Sequence, residues 1–125
     1  MSPSLDDLIR PHLDALEAAP GDAGALDALE RLYREGRRVP DLVALLERQA
    51  RTVADPPAAA ALLRRAAGVA QADLPDEGRA EDLLLRALAL QPRDGQALRA
   101  LAAVREQRGD VPGLAEALEQ EADRT

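Results

Sequence analysis

Residues 20–50 read PGDAGALDALERLYREGRRVPDLVALLERQA, and residues 92–122 read PRDGQALRALAAVREQRGDVPGLAEALEQEA. Aligned without a gap, the two stretches share twelve identical residues in 31, where a shuffled chain of this Ala- and Leu-rich composition would share about four. Pro20, Pro56 and Pro92 are spaced evenly by 36 residues, which indicates a third copy between these two. The sequence therefore predicts one domain over residues 1–125, with an N-terminal segment 1–19 and three repeats, 20–55, 56–91 and 92–125.

Each outer repeat predicts two amphipathic helices joined by a short turn. In the first repeat Asp22 is placed to cap a helix, and Gly36 is expected to end that helix in a left-handed conformation. Pro40, which suits a first helical turn, then opens the second helix. The apolar residues of the two helices recur at helical spacing and are Ala25, Leu26, Leu29, Leu32, Tyr33, then Leu42, Val43, Leu45, Leu46, Ala50 and Val53.

The other segments follow the same plan. In the middle repeat Asp55 caps a helix that reaches the turn at residues 73–76, and a second helix runs over about residues 77–90. The third repeat predicts helices over residues 94–109 and 112–123, with Leu114 and Leu118 facing inward in the last one. An N-terminal helix covers about residues 5–19, begins at a capping box of Ser4 and Asp7, and is expected to kink or restart at Pro11.

Composition supports the same fold class. The chain has no Cys, Phe or Trp, and its apolar residues are almost all Ala and Leu, which are strong helix formers. Strands favour β-branched and aromatic residues, which are scarce here. The prediction is therefore an all-α fold.

Residues 61–92 of the middle repeat resemble a tetratricopeptide repeat (TPR), a helix-turn-helix of about 34 residues. Gly68, Ala80 and Ala87 fall where that family keeps small residues for close helix packing, Leu84 falls at a large apolar position, and Pro92 ends the unit. The resemblance implies an α-solenoid of about three antiparallel helix pairs after an N-terminal helix, about seven helices in all. It also implies a concave groove, lined by the first helix of each pair, that holds a peptide or helix of another protein.

Net charge and sequence pattern argue against several other kinds of partner. The net charge of -7 repels nucleic acid, and the longest basic runs are the pairs Arg37-Arg38 and Arg64-Arg65. No segment is apolar enough to span a membrane, and residues 1–17 do not resemble a signal peptide. We therefore expect that the chain binds neither nucleic acid nor a membrane and, by default, that it is cytoplasmic. All sixteen basic residues are Arg, which is typical of a GC-rich bacterial gene.

Four arginines on the predicted groove helices, Arg31, Arg34, Arg65 and Arg99, are the candidate peptide-binding residues. Asp27, Val69 and Glu106 are expected to face the same groove. Guanidinium groups pair with carboxylates in a bidentate manner, so the partner segment is predicted to be acidic or amphipathic. The alternative is that these arginines are solvated and pair with Asp27, Glu30 or Glu35 on their own helix face.

The sequence gives little support for catalysis or for metal or cofactor binding. His12 is the single imidazole and lies beside the apolar stripe of the first helix, so a partly buried structural role is expected. Asp6, Asp7 and Asp14 lack the spacing and Gly of a calcium loop. With no Cys, no Gly-rich phosphate loop and no paired nucleophile and base, we predict no metal, no cofactor and no enzyme.

The functional prediction is a protein-binding adaptor. The alternative is an assembly segment of a larger repeat protein, or a chain that self-associates as a homo-oligomer. Glu121 bears on this choice, because a charged residue at an inter-repeat position suggests a partly polar end cap.

Overall fold

A computed structural model describes residues 4–74 and 76–107. Over these residues the chain forms six helices and no strand, which confirms the all-α prediction. The helices are α1 (Leu5–Ala18), α2 (Ala23–Glu35), α3 (Val39–Thr52), α4 (Pro56–Asp73), α5 (Glu77–Leu90) and α6 (Gly95–Gln107). The predicted last helix, with Leu114, Leu118 and Glu121, lies outside the described residues.

Local capping explains why the helices begin where they do. The Asp22 carboxylate accepts a 2.9 Å hydrogen bond from the Ala25 N–H, and Asp55 and Asp76 cap α4 and α5 in the same way. Ser4 begins α1 with the predicted capping box. Each of these side chains satisfies an N–H group that a helix start leaves unpaired. α1 continues without interruption through Pro11, so the predicted restart there does not occur.

The end of α2 differs from the prediction. Gly36 has φ -83°, and it is Arg37 that adopts the left-handed conformation, with φ 59°. Arg38 N–H donates to Tyr33 O at 2.8 Å and Arg37 N–H donates to Arg34 O at 3.1 Å, which is the hydrogen-bond pattern of a Schellman motif centred one residue later. Gly36 is small for another reason, because a Cβ at this position would overlap the Leu5 side chain.

The helices stack in chain order, and each packs against the helix before it and the helix after it. Ion pairs then join helices two apart, α2 with α4 and α3 with α5, so the chain forms two layers. One layer contains α1, α3 and α5, and the other contains α2, α4 and α6. The interface between the layers is apolar, with fully buried leucines from five of the helices: Leu16, Leu29, Leu42, Leu46, Leu84 and Leu101.

Small residues let the layers approach closely, although Gly68 is not among them. Ala80 and Ala87 of α5 are fully buried, as the resemblance implied. Gly68 is exposed, and a Cβ placed on it would meet nothing within 4 Å. On α4, Ala60, Ala66 and Ala70 are fully buried instead.

Candidate protein-binding surface

The exposed sides of α2, α4 and α6 form a single surface, which we call the even-helix surface. Its middle strip on α4 consists of Ala61, Gly68 and Ala72, all exposed. These positions are seven and four residues apart, so they lie on one side of the helix. Longer exposed side chains flank the strip, and they are Arg31 and Arg34 on α2 and Arg99 and Glu106 on α6. The exposed side chains are therefore short along this strip of α4 and longer on α2 and α6.

Ion pairs hold α2 against α4 beside this strip. Arg65 of α4 reaches Asp27 at 2.8 Å and Glu30 at 3.2 Å, both on α2. Burial lowers the pKa of Arg65, but the hydrogen bonds with Asp27 and Glu30 outweigh it and leave the pKa raised. Arg34 of α2 lies 2.8 Å from Asp73 at the end of α4 and 3.3 Å from Glu30 one turn away.

The four predicted binding arginines are thus in different situations. Arg34 and Arg65 take part in the ion pairs between α2 and α4, whereas Arg31 is exposed and has no polar partner among residues 4–74 and 76–107. Arg99 is exposed on α6, two helices after α4, and makes a polar interaction of its own. Val69, which the sequence assigned to the groove, is buried in the core because it faces the apolar interface.

Arg64 and Arg93, which sequence reasoning did not select, lie with Arg99 around a cavity between α4 and α6. The cavity has a volume of about 510 Å³. Arg64 Nε lies 2.8 Å from Asp94 Oδ2, at an angle that leaves this nitrogen without a well-directed hydrogen bond. The Arg64 side chain also donates to Gln96. In the sequence Arg64 is half of a basic pair, and its position one residue before Arg65 turns it towards α6 instead of α2.

A carboxylate joins the helices of the other layer. Glu47 on α3 accepts hydrogen bonds from Arg79 and from Arg86 of α5, the latter at 2.7 Å. Burial raises the pKa of Glu47, but the hydrogen bonds from Arg86 and Arg79 outweigh that effect, so the pKa lies below its usual value.

Within the described part of the chain, no group of three or more His, Cys, Asp or Glu residues is placed to hold a metal ion. His12 is partly buried on α1. None of the six helices is both long enough and apolar enough to cross a membrane.

The two layers of consecutive, antiparallel helices define a TPR-like α-solenoid. Among solved structures, the chain matches the crystal structure of MamA with 23% sequence identity and a TM-score of 0.64. The match covers 97% of this chain and 68% of the MamA chain, and it shows that the two share a TPR-like fold. No protein-family model and no curated protein matches the sequence.

Proposed function

We propose that the chain is a protein-interaction scaffold whose even-helix surface holds a peptide or helix of another protein. The observation that carries the proposal is the strip of Ala61, Gly68 and Ala72, because none of these exposed positions carries a side chain longer than a methyl group, while Arg64 and Arg65 turn aside towards α6 and α2. A bound segment can approach the α4 backbone there and contact α2 and α6 on either side. TPR-like solenoids offer extended surfaces of this kind to protein partners.

The charges on the surface favour an acidic or amphipathic segment. Arg31 has no described partner that competes for its guanidinium, so it is available to a carboxylate. Arg34 and Arg65 already bridge α2 and α4 through Asp27, Glu30 and Asp73, so Arg31 is the residue on which this preference rests. The proposal contains no catalytic step, and the expected cytoplasmic location and bacterial source stay predictions.

A bulky substitution at Gly68 tests the surface with little risk to the fold. A side chain there enters open space, so Gly68→Trp fills the middle of the strip while the core is untouched. Gly78→Trp is the matched control, since Gly78 is an exposed helical glycine on α5 in the other layer, where an added Cβ makes only ordinary contact with Asp76.

The experiment selects peptides from a displayed library of random 12-residue sequences on the wild-type protein and measures their affinity by fluorescence anisotropy. We expect Gly68→Trp to weaken binding by about tenfold or more, equivalent to about 1.4 kcal/mol, and Gly78→Trp to change it by less than about twofold. Arg31→Glu should weaken acidic peptides more than Arg31→Gln does. If no peptide is enriched, or if Gly68→Trp binds as well as the control, the proposal is wrong.

Self-association is the second candidate function, and exposed leucines on the other layer favour it. Leu85 and Leu90 of α5 are 44% and 41% exposed. Leu90 borders an apolar cavity of about 420 Å³ that also contacts Val53 and Leu63. Light scattering over a hundredfold range of concentration tests this candidate. A mass that rises with concentration in the wild type and not in Leu85→Glu supports it, and a constant monomer mass excludes it.

A further inference from the structure

The apolar cavity between the ends of α3 and α5 lies in the layer opposite the even-helix surface. Its volume is about 420 Å³, within the range of roughly 300–1,000 Å³ that is usual for binding pockets. Ala59 and Leu63, two buried residues of α4, form part of its lining. They lie on the side of α4 that faces the other layer, whereas Ala61 and Gly68 of the strip are exposed. The cavity is therefore separate from the even-helix surface.

We propose that this cavity holds one large apolar side chain, phenylalanine or leucine, of a protein segment that carries an acidic residue next to it. The inference goes beyond the proposed function, because it gives the scaffold a second binding site in the layer of α1, α3 and α5. A chain with both sites can hold two partner segments at once, one on each layer.

The apolar lining of the cavity determines which side chain fits. Apart from two arginines, the described residues that line it carry only aliphatic side chains, and none has a hydroxyl, amide or carboxylate group. A buried Tyr hydroxyl or Trp N–H would lack a hydrogen-bond acceptor among these side chains, whereas Phe and Leu need none. The aliphatic members include Ala50, Val53, Pro56, Ala59, Leu63 and Leu90.

The open rim of the cavity favours a protein segment over a small molecule. Half of the lining residues are exposed, among them Ala54, Ala89 and Leu90. A small ligand is held by a site that buries most of its surface. A side chain that projects from a partner protein is covered on its outer side by that protein, so an open cavity is sufficient for it.

Arg51 on the rim is the reason for the acidic neighbour. It is exposed and has no hydrogen-bond or ion-pair partner in the part of the chain that the structure describes. Arg86, the other arginine of the cavity, is already bound to Glu47. Asp55 does not line the cavity, and its carboxylate accepts a hydrogen bond from the Ala58 N–H at the start of α4. The Arg51 guanidinium is therefore available to a carboxylate of the partner.

The cavity between α1 and α3 provides an internal comparison. It has the same volume of about 420 Å³, but Glu17, Gln49 and Thr52 place polar groups in its lining. An apolar side chain would bury these groups, and the Glu17 carboxylate would repel an acidic neighbour. The α3–α5 cavity is therefore the better site of the two.

Two pairs of variants test the site. Ala89→Trp fills the cavity from an exposed position on α5, and Ala44→Trp is its control, since Ala44 is exposed on α3 and does not line the cavity. Arg51→Glu reverses the charge of the rim. Arg48→Glu is the control for it, because Arg48 is exposed one turn earlier on the same helix and does not line this cavity. Urea unfolding checks that each variant folds.

The experiment is an NMR titration of the full chain that follows the methyl signals of Ala59, Leu63 and Leu90. The main probe is the amidated peptide N-acetyl-Ala-Glu-Phe-Ala. The second probe has Ala in place of Phe, the third has Arg in place of Glu, and the fourth is octanoate, which represents a small amphipathic ligand.

We expect saturable shifts with the Glu-Phe peptide below about 10 mM and none with the peptide that lacks Phe. Ala89→Trp should weaken the binding by about fivefold or more, because the Phe side chain can no longer be buried, and Ala44→Trp should change it by less than about twofold. The wild type should bind the Glu-Phe peptide about twofold to fivefold more tightly than the Arg-Phe peptide. Arg51→Glu should abolish this preference, and Arg48→Glu should keep it.

Several results would overturn the proposal. They are the absence of saturable shifts, equal effects of Ala89→Trp and Ala44→Trp, equal effects of Arg51→Glu and Arg48→Glu, and tighter binding of octanoate than of the Glu-Phe peptide. A molecular mass that rises with concentration in the wild type and not in Ala89→Trp would also overturn it, because the cavity would then hold a second copy of this chain. Peptides that Gly68→Trp weakens should bind Ala89→Trp as they bind the wild type, so failure at one site is distinguished from failure at the other.

Discussion

The backbone N–H of Gly21 donates a 2.8 Å hydrogen bond to Gln49 Oε1, which joins the turn after α1 to the last turn of α3. Gln49 is 7% exposed and is the buried polar residue of the described chain. Gly21 has φ +81°, and a Cβ on it would lie 3.1 Å from Val53 Cγ2. The polar side chain at position 49, where Ala87 stands in the middle repeat, therefore has a structural reason: it satisfies a turn that a small apolar residue would leave unpaired.

Gln49→Leu is expected to lower the free energy of unfolding by about 1–3 kcal/mol, because the Gly21 N–H loses its partner. Urea denaturation measures the change. Gln71→Leu is the control, since its amide makes an exposed 2.6 Å hydrogen bond to Gln107, and we expect it to alter stability by less than about 0.5 kcal/mol. Equal effects of the two substitutions would contradict this role of Gln49.

Gly68→Ala should raise the free energy of unfolding by about 1 kcal/mol, because alanine favours the helix and its methyl group meets nothing. Gly36→Ala should gain less than this, because its methyl group must displace the end of the Leu5 side chain and lies 3.2 Å from the Leu32 carbonyl oxygen. Thermal and urea unfolding of both variants provide the measurement. A loss of stability in Gly68→Ala would mean that this glycine packs against something.

Arg37→Gly should stabilise the chain by about 0.5–1 kcal/mol. Arg37 is strained in its left-handed conformation, which glycine adopts freely. Relief of this strain stabilises the folded chain by more than the extra conformational entropy of glycine stabilises the unfolded chain. Arg37→Ala keeps the strain and removes the same side chain, so it should show no gain. Unfolding curves of the two variants decide the matter, and equal stability would mean that backbone strain at residue 37 is unimportant.

Glu47→Gln should lower the free energy of unfolding at neutral pH by about 1–2 kcal/mol, because Arg79 and Arg86 lose a charged acceptor. The folded state holds the pKa of Glu47 below its usual value, so its stabilisation is complete above the unfolded pKa of about 4.3 and is lost as pH falls through the lower folded pKa. The stability difference between wild type and variant should therefore shrink as the pH falls from about 5 through the lower folded pKa. A difference that stays constant over this range would show that packing, not charge, is responsible. Asp82→Asn, an exposed change on α5, controls for net charge.

Local signals made the helices predictable from the sequence. Asp22, Asp55 and Ser4 cap the helices they were expected to cap, because capping depends on residues within one turn. The roles of Gly36 and Gly68 were not predictable in this way. Whether a glycine is packed or exposed depends on which residue of the neighbouring helix lies against it. The repeat pattern predicts which helices are neighbours, but it does not predict contacts residue by residue.

The partners of the arginines depend on the register between helices. Arg65 pairs with residues 38 and 35 positions earlier, and Arg34 with one 39 positions later. Glu47 reaches Arg79 and Arg86, 32 and 39 positions later. These separations are close to the repeat length, so opposite charges about one repeat apart are the signal that could have identified the pairs. Among the four candidate arginines, spacing within one helix, which the sequence interpretation used, identifies the pair of Arg34 with Glu30.

The two kinds of contact between helices in the stack respond differently to salt. Neighbouring helices are joined by buried leucines, which added electrolyte does not weaken, whereas helices two apart are bridged by partly solvated ion pairs that it screens. Raising the ionic strength therefore weakens the ion pairs between helices two apart, while the apolar contacts between neighbouring helices are kept. We therefore expect the separation of α2 from α4, and with it the width of the even-helix surface, to depend on salt concentration.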